Sequence, residues 1–209
     1  KMRILAGAVH GQRQQIVRMD SGGPLAGNAI RQAANDRLLS ALRKADGLLT
    51  SDYGYDLVRP DMVNALAAKV PATIDSRFRL TEFHGLTAAT PNEPEVEAAL
   101  GVRIGDDPSV LESAGRSLLK QLKHQALLIT RGKDGMALFE PGRKTVHIPI
   151  HGSDEIADVT GAGDTVIATF TLALAAGASY EEAARLSNCA GGIVVMKHGT
   201  RPVYAAELA

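Results

Sequence analysis

The chain has 209 residues, of which 45% are hydrophobic and 22% charged, as expected for a globular domain with a substantial core. Its 23 Lys and Arg residues equal its 23 Asp and Glu residues, so no net field favours nucleic acid or an anionic membrane. Aromatic residues make up only 4%, which argues against base stacking, and the single Cys excludes an internal disulfide. With no signal-peptide pattern and no apolar run long enough for a bilayer, we expect a cytoplasmic protein.

Hydrophobic periodicity predicts alternating strands and helices along most of the chain. Residues 2–20 predict two strands joined by a turn at 8–12, and a Ser-Gly-Gly-Pro break then precedes a helix over 26–44. The following segments are predicted, in chain order, as strand 47–50, helix 60–69, strand 72–75, strand 87–90, helix 92–100, helix 109–123, strand 126–130, strand 135–139, strand 144–150, helix 161–176 and helix 180–197. This alternation predicts an α/β fold, a three-layer, doubly wound and mostly parallel sheet flanked by helices.

Several polar residues follow the predicted strands. Asp52, Asp75, Asn92 and Arg131 fall at or just beyond strand ends, and open α/β sheets bind ligands outside the carboxyl ends of their strands. These residues are therefore expected to converge on one edge of the sheet, where the helix beginning at Gly161 should also point.

The segment 158–164 (Asp-Val-Thr-Gly-Ala-Gly-Asp) is the most informative stretch. Amides of Gly161, Ala162 and Gly163 at a helix start can receive an anion, and Asp164 places a carboxylate beside it. Such a pair can move a phosphoryl group onto a hydroxyl. The alternative is an ordinary glycine turn before a helix. No Lys follows the glycines as a P-loop requires, and Val166 stands where a dinucleotide fingerprint needs Gly or Ala.

Asn92 and Glu95 lie one helical turn apart, so their side chains can face one point. One interpretation is a metal–water–phosphate network, because Mg²⁺ prefers few carboxylates, several waters and substrate phosphates. The other is a helix cap, with Asn92 as N-cap and Glu95 as its capping-box partner.

Four ordered segments resemble the PfkB family, the ribokinase-like sugar kinases. Besides 158–164, they are 90–95 (Thr-Pro-Asn-Glu-Pro-Glu), 130–135 (Thr-Arg-Gly-Lys-Asp-Gly) and 187–200, a glycine-containing helix with its following loop. Within the family, Ser51-Asp52-Tyr53 and 87–92 are most similar to bacterial heptose-phosphate kinases. Gly54-Tyr55-Asp56 departs from the Lys-Gly that such kinases carry there.

The resemblance implies a role for each matching position. Asp164 would be the base that accepts the sugar hydroxyl's proton, with Gly161, Ala162 and Gly163 as the anion hole. Asn92 and Glu95 would hold Mg²⁺, with ATP as co-substrate and a monovalent cation as a further cofactor. The nucleotide-binding positions would be Asn92, Thr130, Gly132, Gly135, Asn188 and Gly199. Asp75 is a further candidate on its own chemistry, because its carboxylate could hold a ribose hydroxyl or a water near the nucleotide.

The domain organisation implied is a lid-like strand pair in residues 1–20 and a nucleotide-binding α/β domain in 21–209. Kinases of this family usually carry about a hundred further residues before the matching part, so we expect a shortened form that binds nucleotide and phosphorylates poorly. The exposed lid strands also allow a homodimer.

The function expected is ATP-dependent phosphoryl transfer to a hydroxyl of a small sugar or sugar phosphate. Ribose, fructose, fructose phosphate or a nucleoside remain open as acceptors. A nucleotide-binding but catalytically incompetent fragment or regulatory module is the alternative from another class. An oxidoreductase is disfavoured because the third glycine is lacking.

Overall fold

The structure of the protein, a computed structural model, describes residues 2–6, 14–19, 21–23, 27–67, 69–152, 159–197 and 199–208. The predicted turn at 8–12 and the first motif residue, Asp158, lie outside the described residues.

The described strands form two sheets. They are β1 (Met2–Ala6), β2 (Gln14–Met19), β3 (Leu48–Asp52), β4 (Ala72–Ser76), β5 (Ala88–Ala89), β6 (Ala126–Thr130), β7 (Met136–Phe139) and β8 (Val146–Ile148). Strands β1 and β2 pair antiparallel by themselves, whereas the other six form one sheet in the order β3-β4-β5-β6-β7-β8. Strands β3 to β6 are parallel, and β7 and β8 add antiparallel neighbours. The prediction of a mostly parallel sheet is confirmed.

Helices cover both faces of the six-stranded sheet. They are α1 (Asn28–Leu42), α2 (Pro60–Leu66), α3 (Glu93–Leu100), α4 (Pro108–Leu122), α5 (Ala162–Ala175), α6 (Tyr180–Val195) and α7 (Ala205–Leu208). Among the described residues, no helix combines the length and the apolar character that crossing a bilayer would require.

Alternating side chains of β6 divide the core into two layers. Leu127 and Ile129 belong to the layer that includes buried residues of α2, α3 and α4, whereas Leu128 belongs to the layer formed with α5 and α6. Successive side chains of a strand point to opposite faces, so a fully apolar strand is buried from both sides. This arrangement is the predicted three-layer sandwich.

Local sequence signals set where the helices begin. In α4, the Asp107 side chain accepts the Ser109 amide at 2.8 Å, and Pro108 occupies the first turn, where its missing N–H does no harm. Helix α5 begins after Gly161, whose φ of 84° favours a residue without a Cβ. The start of α5 and the carboxyl ends of β3 and β4 then border the same pocket.

Candidate active site

A buried ion pair anchors the end of β3. Asp52 accepts hydrogen bonds from Arg79 Nη2 at 2.8 Å, Ser76 Oγ at 2.8 Å and the Gly54 amide at 3.1 Å. Burial alone would raise the pKa of Asp52, but these hydrogen bonds outweigh it and hold the pKa below its ordinary value. Arg79 Nη2 also donates to the Val58 carbonyl at 3.0 Å, so one guanidinium ties both ends of the intervening loop to β4.

An acidic pocket of about 180 Å³ opens beside this loop. Its lining includes the carboxylates of Asp52, Asp75, Glu95 and Asp164, with Arg77 as the cation. Burial, followed by the charges of Glu95 and Asp164, raises the pKa of Asp75 from 3.8 to about 6. The pocket therefore carries more negative charge than its own protein groups neutralise.

Asn92 and Glu95 form the capping box of α3. Asn92 Oδ1 accepts the Glu95 amide at 2.9 Å, and Glu95 Oε2 accepts the Asn92 amide at 2.9 Å. The cap interpretation is thus geometrically satisfied. It uses one carboxylate oxygen of Glu95, whose side chain still borders the acidic pocket, and burial raises the pKa of Glu95. Capping and ligand binding are compatible here.

The start of α5 borders the same pocket. Gly161 and Gly163 line it, and their amides have no acceptor among the described residues. The Ala162 amide instead donates to the Val159 carbonyl at 3.2 Å. Two of the three predicted anion-hole amides are thus available, whereas Ala162 is already engaged within the turn.

Asp164 lies in the first turn of α5, and its carboxylate faces the acidic pocket. Its Oδ1 accepts a hydrogen bond from the Tyr53 hydroxyl at 3.2 Å. Burial, followed by the charge of Asp164, raises the pKa of Tyr53, so this phenol stays protonated and donates at neutral pH.

A larger and mostly apolar cavity of about 390 Å³ adjoins the acidic pocket. The two share Asn92, Thr130 and Gly163 in their lining, so they meet at the carboxyl end of β6. The larger cavity thus opens into a pocket lined by carboxylates and by two amides that lack an acceptor among the described residues.

Close backbone packing shapes the wall of the larger cavity. At Gly135, φ is 76° and a Cβ would collide with the Ile148 carbonyl oxygen; at Gly192, a Cβ would collide with the His151 carbonyl oxygen. Asn188 is buried, and its Nδ2 donates to the Pro149 carbonyl at 2.7 Å. Gly135 and Gly192 thus allow the backbone at the end of β8 and just after it to pack closely against β7 and α6.

The two cavities gather most of the residues predicted from the sequence. The acidic pocket takes Asp75, Asn92, Glu95, Thr130, Gly161, Gly163 and Asp164, and the larger cavity takes Asn92, Thr130, Gly132, Gly135, Ala162, Gly163 and Asn188. Asp75, predicted beside the nucleotide, lies on the acidic side only. Gly199 lines neither cavity.

Three contributors were missed by sequence reasoning. Tyr53 contacts Asp164, Arg79 organises Asp52, and the Thr90 hydroxyl is buried at the acidic pocket without a partner among the described residues. The Ser51-Asp52-Tyr53 match was a visible signal for Tyr53, whereas no motif in the sequence pointed to Arg79 as the partner of Asp52.

The oxygen donors of the acidic pocket suit a hard cation. Among the described residues, no three His, Cys, Asp or Glu side chains are close enough to enclose a metal by themselves. Excess carboxylate charge and the unpaired Thr90 hydroxyl fit a cation held partly through water and a bound phosphate.

The model of the pfkB family of carbohydrate kinases matches residues 75–206. The chain belongs to this family. Two proteins called "Bifunctional protein HldE" are similar: one from Aeromonas salmonicida is 37% identical over 217 residues, and one from Nitrosococcus oceani is 40% identical over 215. Each match spans all of this chain but 43% of the relative, so the chain covers less than half the length of these curated relatives.

Solved structures share the fold. Arabidopsis thaliana ribokinase complexed with ribose and ATP gives a TM-score of 0.68 at 22% identity, with 94% of this chain and 63% of that chain covered. Escherichia coli phosphofructokinase-2 in complex with potassium gives 0.76 at 19% identity, covering 95% and 65%. At these identities the likeness establishes a ribokinase-like fold.

Proposed function

We propose that this chain carries the phosphoryl-transfer site of an ATP-dependent carbohydrate kinase. The observation that carries the proposal is the position of Asp164, whose side chain lines the same pocket as Gly161 and Gly163 at the start of α5. Family membership supports the reaction class, and the adjoining apolar cavity is large enough for a nucleoside.

In this proposal, ATP lies with its base and ribose in the larger cavity and its terminal phosphates at the junction of the two cavities. The amides of Gly161 and Gly163 offset the charge that spreads over the oxygens of the transferring phosphoryl group. Asp164 accepts the proton of the attacking sugar hydroxyl as the new O–P bond forms and the bond to the ADP oxygen breaks.

Asn92 and Glu95 would hold Mg²⁺ from the edge of the pocket, through water as well as directly. When bound there, Mg²⁺ would offset the negative charge of the phosphates. Asp75 and the Thr90 hydroxyl provide further oxygen donors on the same side.

The proposed acceptor is a small sugar or sugar phosphate. A heptose phosphate is the preferred candidate, because Ser51-Asp52-Tyr53 is similar to the corresponding segment of bacterial heptose-phosphate kinases. The test is a panel of ribose, fructose, fructose 6-phosphate, adenosine and a heptose phosphate, assayed by ADP release with Mg²⁺ in K⁺ and then in Na⁺ buffers. The assays should use the longest natural form of the protein, because the chain covers less than half the length of the curated relatives named above.

Asp164→Asn is the decisive variant. We expect kcat to fall by a factor of about 10²–10⁴, because a general base contributes roughly that much, while calorimetry gives an unchanged affinity for ADP. Turnover equal to that of the unsubstituted protein would remove Asp164 from the reaction. ADP binding with no phosphoryl transfer to any acceptor would instead favour a nucleotide-binding module.

A further inference from the structure

Asp164 is an exposed side chain in the first turn of α5, and among the described residues its carboxylate makes no hydrogen bond within that helix. A base must present one oxygen at hydrogen-bond distance from the hydroxyl that it deprotonates. If the carboxylate rotates freely, it spends only part of the time in the orientation that can accept the proton. An external group that holds one oxygen would leave the other directed at the acceptor.

The Tyr53 hydroxyl is such a group. It lies 3.2 Å from Asp164 Oδ1 and comes from a part of the chain 111 residues away. Because a carboxylate has two oxygens, this contact occupies Oδ1 and leaves Oδ2 for the substrate. A phenol is a suitable donor to a carboxylate, although the 3.2 Å separation is longer than the roughly 2.5–2.7 Å of a tight charge-assisted O–H···O⁻ bond.

The backbone that carries Tyr53 is itself fixed. Asp52, the preceding residue, is buried and bound by Arg79, and the Gly54 amide that follows donates to the same carboxylate. The Arg77 amide donates to the Asp52 carbonyl at 3.2 Å, which ties this point to the residue after β4. Tyr53 is therefore held on both sides by the ion pair beneath it.

We propose that Tyr53 is a positioning residue for phosphoryl transfer: its hydroxyl holds Asp164 Oδ1, so that Oδ2 faces the acceptor hydroxyl. The inference rests on the proposed kinase function and adds a residue that acts through the base. The Asp52–Arg79 pair serves the site indirectly, because it fixes the loop from which Tyr53 reaches α5.

The chain provides a matched control in Tyr55. Tyr53 and Tyr55 are 41% and 40% exposed, and they lie on the same loop, but Tyr55 does not line the acidic pocket. Replacement of either by Phe keeps the ring and removes only the hydroxyl. Neither change should impair folding.

The experiment is a double-mutant cycle on the longest natural form of the protein. We expect Tyr53→Phe to lower kcat about tenfold with little change in the KM for ATP, since loss of a hydrogen bond to a charged group has roughly this effect. Tyr55→Phe should leave both constants unchanged. In the Asp164→Asn background, Tyr53→Phe should cause no further loss, because it acts only through the base.

A second measurement does not depend on turnover. The Tyr53 phenol is followed by NMR of ¹³Cζ-labelled tyrosine, assigned through Tyr53→Phe. Asp164→Asn should lower the pKa of Tyr53, because the neighbouring negative charge that helps to raise it has been removed.

The outcomes separate the inference from the function on which it rests. An active enzyme whose Tyr53→Phe variant keeps its kcat within twofold overturns the positioning role and leaves the kinase proposal standing. An equal loss of kcat from Tyr53→Phe in the parent and in the Asp164→Asn protein also overturns it. So does a Tyr53 pKa that is unchanged by Asp164→Asn. If no acceptor is phosphorylated at all, the kinase proposal fails, and the catalytic meaning of the contact falls with it.

Discussion

The guanidinium of Arg79 donates two hydrogen bonds to the carboxylate of Asp52, from Nη2 to Oδ1 at 2.8 Å and from Nε to Oδ2 at 3.2 Å. The Asp52 side chain is only 1% exposed and that of Arg79 is 24% exposed, so the carboxylate is shielded from water although part of the guanidinium is not. Removal of Arg79 would leave the buried Asp52 carboxylate with no cation and with only the Ser76 hydroxyl and the Gly54 amide as donors.

Arg79→Met should therefore lower the free energy of unfolding by about 3 kcal/mol, as expected for a broken buried pair. Urea denaturation at neutral pH measures this change. The control is Arg59→Met, because Arg59 pairs with Asp61 at the surface, and this variant should unfold at nearly the parent urea concentration. Equal behaviour of the two variants would mean that the Asp52–Arg79 pair adds nothing to stability.

Asp75 should oppose folding at neutral pH. Its pKa is raised to about 6 in the folded protein from an ordinary 3.8, so the folded state binds a proton more tightly than the unfolded chain. Stability then falls as the pH rises from about 4 to 6, and the full loss persists above that range.

Asp75→Asn removes this penalty. We expect the variant to be more stable than the parent by about 1–3 kcal/mol at pH 7.5, with a difference that disappears near pH 4. Urea midpoints at both pH values test the expectation, and Asp106→Asn, at an exposed position, serves as control. A variant less stable than the parent at pH 7.5 would show that the Asp75 charge is compensated.

His124 should make the fold sensitive to acid in the opposite sense. It is buried, its Nδ1 accepts the Leu86 amide at 3.1 Å, and Nε2 has no partner among the described residues. Burial, followed by the charge of His84, lowers the pKa of His124 from 6.5 to about 4. Between pH 6.5 and about 4, His124 is therefore protonated in the unfolded chain but neutral in the folded protein.

Stability attributable to His124 should thus decline as the pH falls below 6.5, by about 1.4 kcal/mol per pH unit until about pH 4. His124→Gln keeps an acceptor for the Leu86 amide but does not titrate. The difference in unfolding free energy between parent and variant should change with this slope between pH 6.5 and 4.5. His147→Gln, at an exposed position, should follow the parent; a parallel response of His124→Gln would contradict the assignment.

Sequence reasoning succeeded where the signal was local. The glycine turn before α5 and the Asn92–Glu95 spacing each lie within a few residues, so their geometry follows from helix starts and caps. The alternation of strands and helices likewise predicted which strand ends would meet at one edge.

The contacts that complete the site are long-range, which explains why they were not predicted. Arg79 pairs with a residue 27 positions earlier, and Tyr53 meets Asp164 across 111 positions. Periodicity assigns a residue to a face of an element but does not select its partner on another element. The pKa of Asp75 depends first on burial and then on three carboxylates from separate elements, none of which can be deduced from the order of residues along the chain.

Glu95 is expected to serve two purposes, and two substitutions separate them. Glu95→Gln retains an oxygen for the Asn92 amide and should preserve the α3 cap, whereas Glu95→Ala removes it and should cost about 1 kcal/mol of unfolding free energy. If Glu95 also holds Mg²⁺, both variants should need roughly tenfold more Mg²⁺ for half-maximal ADP binding by calorimetry.

A second capping box supplies the control for this comparison. Ser179 and Glu182 cap α6 with the same reciprocal bonds, and neither residue lines the acidic pocket. Glu182→Ala should weaken its cap and leave the Mg²⁺ requirement unchanged, because only the α3 box borders the proposed phosphate site. If Glu95→Gln has the same Mg²⁺ requirement as the parent, Glu95 acts only as a helix cap. The ion would then have to be held by other oxygens of the pocket, and Asp75 would be the next residue to test.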